Sequence, residues 1–418
     1  MPGSLTRHRM VLVFALAILA GLLSIVALWK PASAATVPAG FQDSLFAAGS
    51  EENPLATITS MQFAPDGSKR LFLTEKDTGN IRVITWNADG TGTLLQEPFA
   101  HIPNVDTEQT RGVLGIAFHP NFGNGTDDWV YVHYTQKLDG VSHNRIIRFK
   151  ADPNNPNVAD NTVPAQSIFE MDKLGTATTH DGGHIEFGND DKLYIPNGDN
   201  KRNKFPPILN TWKLTNLFGK VLRINADGTI PTDNPWLDKT SGKNQAIYAK
   251  GFRNPFSMAV EPAPGNRIYI NDVGERTWEE INALKPRANY GWPKYEGFEG
   301  DRRFKKPVYA YKHTATCRCA ISGGVFYHAP EGASAPFPQE YEGDYFFTDL
   351  DFGWIRKLDA GGTSVSGAVE PTAGGNGMVS DFAKGAFGPV DLKVGPDGGL
   401  YYLQVGGSVR VIRPSTGG

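Results

Sequence analysis

Cysteine is nearly absent from this chain. Its 418 residues contain only Cys317 and Cys319, in the string Cys-Arg-Cys. A metal site built from thiolates needs about four soft ligands, so two cysteines argue against a cysteine-based metal centre. In an oxidising compartment the pair could instead close a small, strained disulfide, at best a local staple of its loop.

A large excess of either charge is also missing. The sequence has 41 basic and 44 acidic residues, for a net charge of −3. Residues 1–34 contain Arg7, Arg9 and Lys30 but no acidic residue, so the remainder is more acidic still. This balance argues against nucleic acid or an anionic membrane surface as a partner.

Long apolar runs are confined to the N-terminus. Met10–Trp29 is apolar apart from Gly21 and Ser24, follows two arginines and precedes an Ala-Ser-Ala cleavage pattern that ends at residue 34. The pattern predicts a signal peptide over residues 1–34, with an uncleaved membrane anchor over residues 10–29 as the alternative. Either way the remainder is expected to be secreted or extracytoplasmic, with membrane contact only if the segment stays uncleaved.

Helical periodicity is absent too, whereas glycine (47 residues) and proline (29) are abundant, as in turn-rich all-β proteins. A two-strand unit recurs instead: an apolar strand, a polar turn of the Pro-Asp-Gly type, and an aromatic strand. The first strands of the six units contain Met61, Ile116, Ile185, Met258, Gly323 and Leu392. This predicts an all-β chain, with a six-bladed β-propeller over residues 54–413 after an N-terminal segment, 35–53. A β-sandwich or two smaller β domains is the alternative.

A histidine precedes the third unit, in the segment Thr179–Asn200. His180 stands before a pair of glycines, on a loop that a rigid hairpin would present at the rim of a propeller. A loop histidine in such a place can exchange a proton near neutral pH. The alternative is an ordinary surface histidine.

Several sequence segments are not explained by the repeating strand–turn–strand pattern. They are Arg111–Pro120, His180–Gly183, Gly219–Asn225, Gly251–Pro255, Asp272–Asn282 and Asn289–Pro293. In this order and spacing the chain closely resembles the soluble glucose/sorbosone dehydrogenase family, from about Pro54 to Ile412. Members are six-bladed propellers that oxidise aldose-type sugars with pyrroloquinoline quinone (PQQ) and calcium, and they pass electrons to an external acceptor.

The resemblance implies roles for individual residues. His180 matches the general base that takes the proton of the sugar C1 hydroxyl while hydride passes to the quinone. Arg253 and Asn254 match the pair that faces the quinone carbonyls, although an arginine that only ties two loops together is the plain alternative.

Two calcium sites are also implied. Gly274 and Glu275 match the pair whose backbone carbonyls hold the calcium that touches the quinone, a role that suits a hard cation. Glu280 and Tyr290 match a second, structural calcium site. The aromatic residues of this region, Trp278, Trp292 and Tyr295, are expected to pack in the blades.

The chain departs from the family at several positions. It has His328 where PQQ-binding members carry a lysine, and Gly388 and Val390 in the string where they carry two arginines. Thr110 stands where a substrate-contacting amide or acid is expected, with Gln109 beside it.

These departures keep two other functions open. One is a non-catalytic carbohydrate-binding propeller that has lost PQQ. The other is a calcium-dependent sugar lactonase, which would need oxygen ligands converging in the channel. Its candidate ligands are Asp199, Asn200, Asp272 and Asp349, although loop capping is the simpler explanation for them.

Overall fold

The computed structural model describes residues 34–201, 210–314, 317, 319–359 and 379–415. The predicted signal peptide or anchor lies outside these residues, apart from Ala34. No helix among the residues described is long and apolar enough to cross a membrane. Cys317 and Cys319 are joined in a disulfide.

Strands form six antiparallel sheets, each ordered from an innermost to an outermost strand. The first strand of the chain is β1 (Phe41–Ala48). Blade 1 follows with β2 (Ile58–Phe63), β3 (Leu71–Glu75), β4 (Asn80–Trp86), β5 (Gly92–Leu94) and β6 (Ala100–His101). Blade 2 contains β7 (Val113–Phe118), β8 (Trp129–Leu138), β9 (Val141–Lys150) and β10 (Gln166–Lys173). Blade 3 contains β11 (Glu186–Phe187), β12 (Leu193–Asn197), β13 (Lys220–Ile224) and β14 (Ile247–Lys250).

Three further blades complete the ring. Blade 4 contains β15 (Pro255–Val260), β16 (Ile268–Asp272), β17 (Trp278–Ala283) and β18 (Tyr309–Lys312). Blade 5 contains β19 (Ile321–Phe326), β20 (Tyr345–Asp349), β21 (Trp354–Leu358) and β22 (Val379–Lys384). Blade 6 contains β23 (Pro389–Val394), β24 (Leu400–Gln404), β25 (Ser408–Pro414) and β1. Short 3₁₀ helices span Asn210–Trp212, Gly242–Ala246 and Gln339–Tyr341. The predicted six-bladed propeller is confirmed.

The ring closes by pairing the two ends of the chain. Strand β1 lies antiparallel to β25, with Phe41 opposite Pro414 and Ala48 opposite Ser408. Part of the segment 35–53 therefore supplies the outermost strand of blade 6. This pairing covers the edge that β25 would otherwise expose.

Apolar side chains fill the spaces between neighbouring blades. Between blades 6 and 1, for example, Ile58 and Leu73 pack in one cluster with Tyr401 and Val411. The predicted hairpin turns recur: Gly67 and Gly398 adopt φ values of 76° and 85°, which a residue without a Cβ reaches at low cost. Turn chemistry therefore sets the hairpins, and burial between blades stabilises the ring.

The six innermost strands are arranged around a central channel and all run in the same direction along it. Hydrogen bonds tie them at matching levels: the Ser257 hydroxyl donates to the Ser322 carbonyl, and the Ser322 hydroxyl donates to the Pro389 carbonyl. We call the end at which these strands begin the channel mouth. The loops that precede the innermost strands lie there, together with the turns between second and third strands.

Candidate active site at the channel mouth

His180 lies at the channel mouth and is oriented by a carboxylate. Its Nδ1 is 2.7 Å from Oδ1 of Asp199, and Oδ2 of Asp199 accepts a hydrogen bond from Nε1 of Trp292 at 2.7 Å. The His180 side chain is 11% exposed, and its Nε2 has no hydrogen-bond partner among the residues described. The free nitrogen is therefore the one available to a ligand.

Glycines allow the two loops to meet. A Cβ on Gly198 would lie 2.1 Å from the carbonyl oxygen of His180, so a larger residue would push the loops apart. Gly182 adopts a φ of 82°, and a Cβ there would lie 2.4 Å from the Pro196 carbonyl oxygen. The glycines that flank His180 and Asp199 thus permit the close approach that forms the pair.

The electrostatics of this pair favour a neutral imidazole. Burial lowers the pKa of His180, although the hydrogen bond to Asp199 opposes the shift and Arg253 reinforces it. Burial alone would raise the pKa of Asp199, but its hydrogen bonds with His180 and Trp292 outweigh this and lower it. At neutral pH the site therefore holds an anionic Asp199 beside a neutral His180, which can accept a proton at Nε2.

A second buried acid supports the His180 loop. Burial raises the pKa of Asp181 to about 6. Its Oδ2 accepts a hydrogen bond from the Thr110 hydroxyl at 2.9 Å, and Nε of Arg111 lies 4.0 Å from Oδ1. The Thr110 hydroxyl is thus hydrogen-bonded to the His180 loop. Gln109 beside it is exposed, with a φ of 54°.

Arg253 and Asn254 lie beside the loop that carries His180. Both backbone N–H groups donate to the carboxylate of Asp272, at 3.0 and 2.7 Å. The backbone N–H of Asp199 donates to the Arg253 carbonyl at 2.8 Å, and Oδ1 of Asn254 accepts from the Gly182 backbone N–H at 3.2 Å. Backbone contacts of both residues therefore join the His180 loop to blade 4.

The Arg253 guanidinium has two kinds of contact. Nη1 donates to the Val273 carbonyl at 2.8 Å, and the group lies 5.5 Å from the Trp292 ring centroid. Nε is buried and without a hydrogen-bond partner among the residues described. Arg253 therefore ties the Val273 loop in place and also holds a positive charge beside His180.

The predicted calcium-binding loop connects β16 and β17. The backbone N–H of Gly274 donates to Oε1 of Glu279 at 3.1 Å, and that of Glu275 donates to Glu296. A Cβ on Gly274 would lie 1.7 Å from the Trp278 carbonyl oxygen, so this position requires glycine. The Glu275 side chain is exposed, which leaves only its backbone for the implied role.

The second predicted calcium site lies on β17 and the segment that follows. Burial, and then the nearby charge of Asp272, raise the pKa of Glu280 to about 8. Its carboxylate accepts hydrogen bonds from the Gly297 backbone and from Nδ2 of Asn282. The Tyr290 hydroxyl donates to the Ala283 carbonyl at 2.6 Å, which leaves the side chain committed to the fold.

Three aromatic residues were expected to pack in the blades, and one does more. Trp278 packs against Phe298, and Tyr295 against Phe304, with ring centroids 6.1 and 4.9 Å apart. Trp292 also forms a hydrogen bond, because its indole N–H donates to Asp199. No local signal indicates this contact, since the two residues are 93 positions apart.

Asp199 was considered only as a lactonase ligand or a loop cap, but the fold pairs it with His180. A signal was present: His180 precedes β11 and Asp199 follows β12, and the two outer ends of a hairpin meet. Asp272 and Asp349 each have their own hydrogen-bond donors: Asp349 accepts from the Tyr311 hydroxyl and from the Ala320 backbone N–H. Nowhere in the described ranges do three His, Cys, Asp or Glu residues form a group able to hold a metal ion.

The departures from the family fall in different places. His328 follows β19. Its Nδ1 lies 2.7 Å from Oε1 of Glu342, and its Nε2 lies 3.5 Å from Oε1 of Glu261, the residue directly after β15. Because Arg253 precedes that six-residue strand, about 20 Å separates the two ends, and the expected link between His328 and the quinone site is wrong. Val390 is buried in the apolar cluster between blades, and Gly388 adopts a φ of 60°.

Comparison with known proteins identifies the family of this chain. The glucose/sorbosone dehydrogenase family matches residues 55–413. The chain belongs to this family.

Two relatives show how far the similarity extends. The chain is 28% identical over 297 residues to quinoprotein glucose dehydrogenase B of Acinetobacter calcoaceticus, which covers 64% of this chain but only 56% of that protein. It is 27% identical over 374 residues to the aldose sugar dehydrogenase of Escherichia coli, covering 85% of this chain and 89% of that one.

Among solved structures, the PQQ-bound aldose sugar dehydrogenase of Streptomyces coelicolor has a TM-score of 0.67. At 23% identity it covers 90% of this chain and 99% of its own. At this identity the likeness establishes the shared propeller fold.

Proposed function

We propose that this family member is a calcium-containing, PQQ-dependent oxidoreductase of aldose-type sugars, with His180 as the general base. The observation that carries the proposal is the Trp292–Asp199–His180 hydrogen-bond chain, which ends beside Arg253 at an imidazole nitrogen without a partner among the described residues. The names of the two curated relatives support the substrate class.

The residues at the channel mouth divide the chemical work among them. Nε2 of His180 accepts the proton of the sugar C1 hydroxyl, and the Asp199 carboxylate stabilises the imidazolium that results. Trp292 and the Asp199 backbone hold that carboxylate in place, so the imidazole keeps one orientation. Arg253 supplies a fixed positive charge next to the reacting atoms.

The chain fits the quinone only in part. PQQ, when bound, supplies the acceptor for the two electrons of sugar oxidation. Arg253, with its buried and unpartnered Nε, and Asn254 would hold its carbonyl edge. Gly388 offers no positive charge to its carboxylates, and the Val390 side chain lies in the apolar space between the blades, so we expect fewer ion pairs than in members with arginines in this string.

A hard cation fits the buried acids of blade 4. Burial raises the pKa of Asp272 to about 7 and that of its neighbour Glu280 to about 8. Within the described part of the chain, Oδ1 of Asn282 is buried without a hydrogen-bond partner. A cation nearby would favour the ionised form of both acids, and calcium prefers oxygen ligands such as carboxylates and amide carbonyls. We propose that backbone carbonyls of Gly274 and Glu275 serve one ion, and Glu280 with the Tyr290 carbonyl a second.

Cofactor binding tests the proposal directly. We expect calcium-loaded protein to bind PQQ with micromolar or tighter affinity, and aldoses then to change the absorbance of the bound quinone. Calorimetry and absorbance on the purified protein measure both. If high micromolar PQQ does not bind, the enzyme assignment fails, and the protein should next be tested as a carbohydrate-binding propeller.

Removal of calcium should lower the melting temperature, because an ion that binds only the native state stabilises it by about 2.7 kcal/mol at a hundred times its dissociation constant. Thermal unfolding with and without chelator measures the shift. Glu280→Gln should shrink the calcium-dependent shift, whereas Glu275→Gln, which leaves the backbone carbonyl intact, should retain it. Equal melting temperatures with and without chelator would remove both calcium sites.

We also propose that the protein acts outside the cytoplasm. The Cys317–Cys319 disulfide supports this, because such bonds persist in oxidising compartments. The apolar N-terminal segment supports export, with or without cleavage. Immunoblotting of cell fractions for a product shortened by 34 residues would separate a secreted from an anchored form.

A further inference from the structure

One large apolar side chain stands exposed at the channel mouth. Phe387 is 59% exposed, and its ring contacts no other aromatic ring among the described residues. Its φ of 30° lies in the left-handed region, which bulky residues rarely adopt. Such a combination is found where the surrounding structure holds a residue in place for a ligand.

The repeat symmetry of the propeller shows what this position corresponds to. Phe387 stands two residues before Pro389, the first residue of β23. Arg253 stands two residues before Pro255, the first residue of β15. Both innermost strands shift register directly after that proline. Phe387 therefore holds in blade 6 the place that Arg253 holds in blade 4.

The two loops are also held in the same way. Asp272, opposite Pro255 in the sheet, accepts hydrogen bonds from the backbone of the Arg253 loop. Gln404, opposite Pro389, donates through its side-chain amide to the carbonyls of Ala386 and Phe387, at 2.7 and 3.2 Å. The side chain at each position is thus delivered to the same rim.

A second exposed phenylalanine lies in the neighbouring turn. Phe352 is 41% exposed and stacks on Trp354 with ring centroids 6.2 Å apart. The backbone N–H of Ala386 donates to the Gly353 carbonyl at 2.8 Å, which joins this turn to the Phe387 loop. Two exposed aromatic residues therefore share one part of the rim.

Hydrogen bonds link this part of the rim to the Gly274 loop. Glu279 accepts from the backbone N–H groups of Gly274 and Ile321, at 3.1 and 3.0 Å. Asp349 accepts from those of Ala320 and Phe352, at 3.0 and 2.9 Å. Two buried carboxylates thus join the candidate cofactor loop to the aromatic rim.

We propose that Phe387, with Phe352 beside it, contacts the bound quinone and packs an aromatic ring against its planar ring system. This inference rests on the proposed function. An exposed aromatic ring gains most from a ligand that is itself aromatic and planar, because ring–ring contacts add to the burial of apolar area. Aromatic contact thereby replaces part of the ion pairing that Gly388 does not supply.

The test is PQQ binding to calcium-loaded protein, measured by calorimetry. Phe387→Gly should raise the dissociation constant about tenfold, the effect of one lost aromatic contact with its buried area. Its melting temperature should not fall, because glycine adopts the left-handed conformation without strain. Phe387→Tyr keeps the ring and should keep the affinity. Leu45→Ala removes a side chain of 43% exposure on the outermost strand of blade 6 and is the control.

Each outcome decides a different point. If Phe387→Gly binds PQQ as tightly as the unaltered protein does, the inference is wrong and the proposed function stands. A variant that binds weakly and also melts at a lower temperature would show a structural role instead. If the unaltered protein binds no PQQ, the proposed function and this inference both fail.

Discussion

Replacing His180 with asparagine is expected to lower kcat for sugar oxidation by about 10²- to 10⁴-fold, the usual contribution of a positioned general base. Asparagine suits the test because it tolerates the left-handed backbone of this residue, whose φ is 67°. Its side-chain amide can still donate to Asp199. The substitution therefore removes the basic nitrogen and leaves the loop in place.

The measurement is the initial rate of PQQ-loaded enzyme with an artificial electron acceptor. Melting temperature and PQQ affinity should match those of the unaltered protein. His101→Ala is the matched control, since His101 is exposed at the edge of blade 1 and its ring lies 3.0 Å from the Asn80 side-chain oxygen. An unchanged rate in His180→Asn would rule out the base assignment.

The pH dependence should follow from the charge state of His180. Its Nε2 accepts a proton only while the imidazole is neutral, so the rate should fall as the pH drops through the histidine pKa. Burial lowers that pKa from its ordinary value of 6.5, and activity should therefore persist below pH 6.5 before it declines. A rate that falls already above neutral pH would contradict the neutral-base interpretation.

Replacing Asp199 with asparagine is expected to have the second-largest effect, a loss of roughly 10²-fold or more in kcat. Oδ1 of Asp199 faces Nδ1 of His180 and the Lys201 backbone N–H, and Oδ2 faces the Trp292 indole N–H. An amide must turn its NH₂ group toward one of these donors. Either Trp292 is displaced, or the histidine changes tautomer and places its proton on the catalytic nitrogen.

A double-mutant cycle with Trp292→Phe separates these causes. If the amide clashes with the indole, removing that N–H group should reduce the cost of Asp199→Asn; if the tautomer changes, the costs should add. Because Asp199 raises the pKa of His180, its neutralisation should also move the acid limb of the pH profile to lower pH. An unchanged profile and rate would show that Asp199 only caps its loop.

Local sequence patterns predicted the fold well. The six first strands and the turns that follow them were expected near their observed positions, since strand alternation and turn residues act over a few neighbouring positions. The loop strings likewise indicated His180, Arg253 and Asn254, which the fold brings to one rim. Strand β1 was not anticipated, because its partner β25 lies at the other end of the chain.

Contacts between distant segments were less predictable. The Trp292–Asp199 hydrogen bond joins two blades, so no periodicity or spacing along the chain indicates it. Val390 lies in the string where other family members carry arginines, but its side chain faces the apolar space between blades. The quinone roles, the two calcium sites and the export of the chain stay predictions.

The amino-acid sequence by itself determined a repeating hairpin fold, because strand pattern and turn chemistry are short-range properties of the chain. It also determined which loops carry chemically active side chains. Tertiary structure alone decided which of these meet: Asp199 and Trp292 with His180, and Phe387 at the place equivalent to Arg253. Closing the ring brings strand ends from different blades to one rim, and only packing between the blades sets those distances.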